Sequence, residues 1–127
     1  MIRVLGGEGG FPDSRVPDEV ARTFAKSGLL QTALDLEHRP QQEAMAMGVV
    51  QAICSNQSLL VEAGTGVGKS LAYLVPGLLC AMATKRPFVV ATHTITLQDQ
   101  ILKKDLPLCR LLFEKSPGQF DNPHQIL

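Results

Sequence analysis

The sequence predicts an α/β fold, a parallel sheet with flanking helices that this chain carries only in part. Three observations point to it. Two short apolar runs, at residues 58–63 and 87–92, read as buried strands; an apolar helical stripe lies between them; and a glycine-rich loop joins the first run to that helix. Continuous rather than alternating apolar runs fit strands covered on both faces. Two such strands joined by one helix make a βαβ unit, which requires a parallel pair and a right-handed crossover.

Taken in order, the first eleven residues hold Gly6, Gly7, Gly9 and Gly10 and read as a loop or disordered lead-in. Residues 14–26 read as a helix, with Pro17 in its first turn, Asp18 and Glu19 at its positive end and Gly28 placed to close it. Residues 29–37 show no period and read as a connector. Pro40 opens a second helix to about Cys54, in which Met45, Gly48, Val49, Ala52 and Ile53 share one face. The helix after the glycine loop runs from about Lys69 to Met82 on the stripe Leu71, Leu74, Val75, Leu78, Leu79 and Met82. Pro76 inside it cannot donate a backbone hydrogen bond and should bend it. A further helix runs from Ile95 to about Asp105 and ends near Pro107. Leu108, Leu111 and Leu112 suggest one more short helical piece, and beyond Ser116 the chain turns polar. This divides the chain into a lead-in with one helix, residues 1–35, and a larger portion, residues 36–127.

Composition sets bounds on this reading. The chain has 127 residues, enough for one domain, with 45% hydrophobic and 19% charged residues, as in ordinary globular proteins. Twelve basic and twelve acidic residues cancel, so any nucleic-acid contact must be local rather than a global field. Cys54, Cys80 and Cys109 lie 26 and 29 residues apart, without the close spacing of a zinc or redox motif; Cys54 and Cys80, in apolar helical patterns, read as reduced, buried thiols. The start of the chain lacks a secretory signal pattern, and the run from Leu71 to Ala83, broken by Pro76 and Gly77, is too short for a membrane span. A cytoplasmic setting with no membrane fits best.

The chemistry lies in Ala63-Gly64-Thr65-Gly66-Val67-Gly68-Lys69-Ser70. A triphosphate needs many donors converging on a small concave space. Gly64, Gly66 and Gly68 let the backbone turn its N–H groups inward, and the following helix sets the positive end of its dipole at the phosphates. Lys69 can reach the β- and γ-phosphates. The Ser70 hydroxyl suits Mg2+, which prefers oxygen ligands. The general pattern is G-x-x-x-x-G-K-[ST]; its first position is Ala63 here. A flexible glycine turn is the bland alternative, and three alternate glycines followed directly by Lys-Ser argue against it.

The flanks of the loop resemble the superfamily-2 helicases, and within them the DinG-like, XPD-related DNA helicases. Arg39-Pro40-Gln41-Gln42 is similar to the Q-motif, whose glutamine reads the adenine edge. Residues 62–76 resemble motif I, in which that family commonly has alanine where Ala63 stands. Residues 90–94 (Val-Ala-Thr-His-Thr), with Gln98 and the Lys104-Asp105-Leu106-Pro107 run, resemble motif Ia. The resemblance covers about residues 36–108. It implies a RecA-like P-loop NTPase fold and ATP with Mg2+ as cofactors. It carries nucleotide contact over Arg39, Gln42 and residues Ala63, Gly64, Thr65, Gly66, Val67, Gly68, Lys69, Ser70 and Leu71, with Lys69 catalytic and Ser70 the metal ligand. It also implies single-stranded DNA as partner, contacted by Thr92, His93, Thr94 and Gln98, unwinding with 5′ to 3′ polarity, and a role in DNA repair. Each has a plainer reading: Gln42 as a solvated first-turn amide, Arg39 as a surface charge, Thr92 or Thr94 as a helix cap. His93 has no second ligand at metal-binding spacing.

A complete helicase motor also needs an acidic pair after a strand, arginine fingers and a second motor domain. The acids after Ser70 are Asp99, Asp105, Glu114 and Asp121, and none follows an apolar strand-like run. The chain therefore reads as stopping before the acidic motif, binding ATP without turnover, with the remainder of the motor as its missing partner. A [4Fe-4S] cluster, known in some DinG-like proteins, belongs only to that remainder; Cys109 has no partner cysteine after it. A P-loop small-molecule kinase and a non-catalytic nucleotide-binding module are the competing classes. The kinase leaves the Arg-Pro-Gln-Gln and Thr-His-Thr segments unexplained.

Overall fold

A computed structural model describes residues 2–5, 15–64, 66 and 68–115. The chain is helix-rich. The elements are β1 (Ile2–Leu5), α1 (Arg15–Phe24), α2 (Leu29–Leu34), α3 (Pro40–Cys54), β2 (Ser58–Val61), α4 (Lys69–Thr84), α5 (Ile95–Gln100), a π-helical turn (Ile101–Asp105) and α6 (Leu106–Glu114). The two longest helices begin where the sequence places them, at Pro40 and Lys69. Proline at the first helical position gives up only an N–H that has no partner there, and its fixed φ suits a helix start.

The core forms where four apolar faces meet. α1 supplies Val16, Val20 and Phe24; α3 supplies Met45, Ala46 and Val50; α4 supplies Leu71, Leu74, Val75 and Leu79; α6 supplies Cys109, Leu112 and Phe113. α3 packs most extensively on α4, and α1 lies against both. Burial of these side chains is the main favourable term in the fold. Leu78 and Met82 of the expected α4 stripe pack against the core but are only half-buried, because they also line a groove. α4 runs unbroken through Pro76, which is itself fully buried.

Four expectations need correction. Residues 2–5 form β1, not a loop; β1 pairs antiparallel with β2 in the register Ile2 to Val61 and Leu5 to Ser58. The rest of the glycine-rich lead-in, residues 6–14, lies outside the described residues. The 29–37 connector contains α2, which buries Leu30. The 87–92 run is extended but has no ladder partner, and Val89 is 82% exposed. The expected parallel pair is therefore not formed among the described residues. β2, with β1 as its one neighbour among the described residues, exposes Leu60 and half-buries Val61, the alternation of a sheet covered on one face. Finally, Pro107 does not end the helix begun at Ile95. The π-helical turn just before it widens the backbone, so the proline ring meets no tight preceding turn and α6 continues to Glu114.

The three cysteines form no disulfide; Cys80 and Cys109 are buried and Cys54 is half-buried. No helix among the described residues is long and apolar enough to cross a membrane. The polar tail beyond Ser116 lies outside the described residues.

Candidate nucleotide-binding site

The glycine loop lies between the end of β2 and the start of α4, and the start of α3 lies against it. Gly66 and Gly68 both take φ of +80°, a conformation that L side chains rarely adopt, so the alternate glycines are required by the backbone. A Cβ at Gly64 or Gly66 would meet nothing within 4 Å, so the loop is open on that side. A Cβ at Gly68 would instead run into the Gln42 amide. Thr65 and Val67 lie outside the described residues.

The structure brings together residues far apart in sequence. The Arg39 guanidinium donates to the Gly66 carbonyl at 2.6 Å, and the Gln42 amide donates to the Gly68 carbonyl at 3.0 Å. The Lys69 ammonium donates to the Ala63 carbonyl at 2.9 Å, closing the loop on itself. Gln42 is 6% exposed, so it is not a solvated first-turn amide. Arg39 and Lys69 are exposed and Ser70 is half-buried in the first turn of α4. Leu71 turns its side chain into the core, which leaves only its backbone N–H for the loop side.

One supporting contact had no signal in the sequence. His38 Nε2 lies 2.5 Å from the Glu43 carboxylate, bridging the start of α3 around Arg39 and Pro40. A spacing of five residues is not a helical neighbour relation, and only the extended backbone at Arg39 (φ −126°, ψ 111°) makes it possible.

The second group of candidates stands apart, and among the described residues no hydrogen bond joins it to the loop. Thr94 caps α5: its hydroxyl accepts from the Leu97 N–H at 3.2 Å, and the Thr92 hydroxyl donates to the Thr94 carbonyl at 3.1 Å. His93 and Gln98 are exposed, and α5 buries none of its residues. Thr92 and Gln98 stand on the rim of an apolar groove of about 740 Å³ between α4 and the chain from Arg86 to Leu106. Among the described residues no cluster of three or more metal-ligating side chains occurs.

The chain is 48% identical over 75 residues to the ATP-dependent helicase DinG of Mycobacterium tuberculosis (strain ATCC 25618 / H37Rv), which is 59% of this chain and 11% of that protein. It is 44% identical over 85 residues to the ATP-dependent DNA helicase YoaA of Escherichia coli (strain K12), 66% of this chain and 13% of that protein. It is 40% identical over 77 residues to a Bacillus subtilis (strain 168) protein named 3'-5' exonuclease DinG, 61% of this chain and 8% of that protein. The match thus spans about a tenth of the length of these relatives. No family model matches the chain, and no solved structure matches it. Over roughly three fifths of its length, the chain is similar in sequence to these DinG and YoaA proteins.

Proposed function

We propose that residues 63–71 hold Mg2+ and ATP as the nucleotide site of a DinG-like DNA helicase. One observation carries the reading: Arg39 and Gln42, 27 and 26 residues upstream of their partners, are bonded to the backbone of the glycine loop. A plain glycine turn gives no reason to bury a glutamine amide against it.

The residues present fit the nucleotide. The open side at Gly64 and Gly66 leaves room for phosphates, and backbone N–H groups, an ammonium and a hydroxyl are the donor set that a triphosphate and a hard cation take. When bound, ATP supplies the free energy of its terminal phosphoanhydride. Lys69 would exchange the Ala63 carbonyl for β- and γ-phosphate oxygens, and the Ser70 hydroxyl would hold the magnesium. Gln42 keeps a second amide hydrogen and its carbonyl oxygen for the adenine edge.

Thr92, His93, Thr94 and Gln98 contact the backbone of single-stranded DNA at the α5 N-terminus, and unwinding runs 5′ to 3′. The RecA-like parallel sheet takes its further strands from the remainder of the motor, beside β2 and the 86–92 segment. Cysteines without disulfides suit the cytoplasm, and the pathway served is DNA repair. This chain alone binds nucleotide without turning it over, because no acidic pair follows a strand in its sequence. That same absence favours, as second reading, a nucleotide-binding module without motor activity.

The test is calorimetric titration of the chain with a non-hydrolysable ATP analogue, with and without Mg2+, beside an ATPase assay with single-stranded DNA. Mg2+-dependent binding without turnover is expected. DNA-stimulated hydrolysis by the 127-residue chain would contradict the assignment of turnover to the remainder of the motor.

A further inference from the structure

Arg39 is held on both sides. Its carbonyl accepts the first helical bond of α3 from the Glu43 N–H at 3.1 Å, and the preceding His38 ring is tied to the Glu43 carboxylate. Among the described residues its guanidinium has one acceptor, the Gly66 carbonyl, at the short distance of a charge-assisted bond. Gln42, one turn along the same helix, takes the Gly68 carbonyl. A trans peptide unit is planar, with its C=O and N–H pointing opposite ways. The Gly68 carbonyl, which also accepts the first bond of α4 from the Ala72 N–H at 3.3 Å, is held toward Gln42, so the Lys69 N–H points away from α3. The loop thus has two of its carbonyls pinned, at the two glycines that take left-handed backbone.

We infer that Arg39 and Gln42 form a two-point clasp that sets the shape of the phosphate loop before nucleotide arrives, with Arg39 acting through the Gly66 carbonyl instead of touching the nucleotide. The consequence for affinity rests on the nucleotide reading above; the clasp itself does not. Arg39 is then a positioning residue, and its loss weakens ADP and ATP alike. A guanidinium that bound the γ-phosphate directly would favour ATP only. Gln42 joins the two roles: with one amide hydrogen on Gly68, it reads the base while holding the loop, so base and phosphate recognition are coupled through one side chain.

The test is 15N relaxation on the full chain without nucleotide, resolved at the glycine amides. In the wild-type chain Gly66 and Gly68 should have order parameters near about 0.8, the range of rigid backbone. Arg39→Ala should drop Gly66 below about 0.6, into the flexible range, while the middle of α4 stays rigid. Arg39→Lys, which keeps a cationic donor, should recover most of the loss. Gln42→Glu, whose carboxylate cannot donate, should loosen Gly68 before Gly66. A parallel titration with Mg2+ and fluorescent ADP or ATP should show Arg39→Ala weakening both by the same factor, about fivefold for one charge-assisted bond at an exposed site. Unchanged order at Gly66 in Arg39→Ala overturns the clasp, as does a loss confined to ATP. A wild-type chain that binds no nucleotide sinks the nucleotide reading, and the relaxation result still decides the clasp.

Discussion

Replacing Gly77 with alanine sets two effects of opposite sign against each other. Gly77 lies in the buried interior of α4, and removing a helical glycine should stabilise by about 1 kcal/mol. An added Cβ, however, would run into Cε1 and Cζ of Phe88 and come within 2.6 Å of its Cδ1. Carbon atoms in contact sit at about 3.5–4.0 Å, so the ring must move by about 1 Å or swing out. Overpacking of this kind costs about 1–3 kcal/mol. The net expectation for Gly77→Ala is a destabilisation of up to about 2 kcal/mol, the difference between those terms. In a Phe88→Ala background the clash is gone and the same change should stabilise by about 1 kcal/mol. Urea unfolding of the four chains gives the coupling directly. The site matters because Phe88 fastens the 86–92 segment, which has no ladder partner, to the body of the protein. If Gly77→Ala stabilises equally in both backgrounds, Phe88 does not pack on α4 and that segment is placed some other way.

Further predictions concern the other end of the molecule. Burial, with the Asp105 carboxylate second, pushes the Cys109 thiol from 9.0 up to about 12. Its contribution to stability is therefore fully present below about pH 9 and is lost as pH rises through about 12. The wild-type chain should lose up to about 4 kcal/mol relative to Cys109→Ser across that window, measured as the difference in unfolding free energy. A flat difference would show that the thiol is accessible. Asp105 is buried with its Oδ2 unpartnered, so Asp105→Asn should raise the denaturation midpoint and move the Cys109 titration downward; a lowered midpoint would mean that the carboxylate has a partner. Thr94→Ala removes the α5 cap and should cost about 1 kcal/mol of local stability, read as faster amide exchange across residues 95–100. If Thr94 also holds a DNA phosphate, single-strand binding by a protein containing this chain should weaken beyond what fraying explains; unchanged binding removes Thr94 from the DNA surface.

The helices that position the site were legible because their signals are local. Pro40 and Lys69 mark starts, and the apolar stripe behind Lys69 repeats at helical spacing. The loop could be read from Gly64, Gly66, Gly68 and Lys69 for the same reason. What escaped depends on distant partners. Nothing local marks Ile2–Leu5 as a strand until β2 is beside it. Conversely the Phe-Val-Val-Ala run has strand composition but lacks a ladder, and Val89 faces solvent. α2 is too short for its period to show. The continuation past Pro107 depends on a π-helical turn that no residue type announces. At the site, the Arg-Pro-Gln-Gln segment reads as a nucleotide motif by resemblance; the structure places Arg39 on the loop backbone, a contact that spacing alone could not give.

The central claim is that the loop from Gly64 to Ser70 is a phosphate cradle. It is tested most directly by titrating the chain and its Lys69→Ala variant with Mg2+ and a fluorescent ATP analogue. Lys69 is exposed, and among the described residues its ammonium bonds to the Ala63 carbonyl alone, so the variant should keep its fold by circular dichroism. Affinity should fall at least about tenfold on loss of a charged phosphate contact. Equal affinity in the two chains, or no binding by the wild-type chain, would contradict the account.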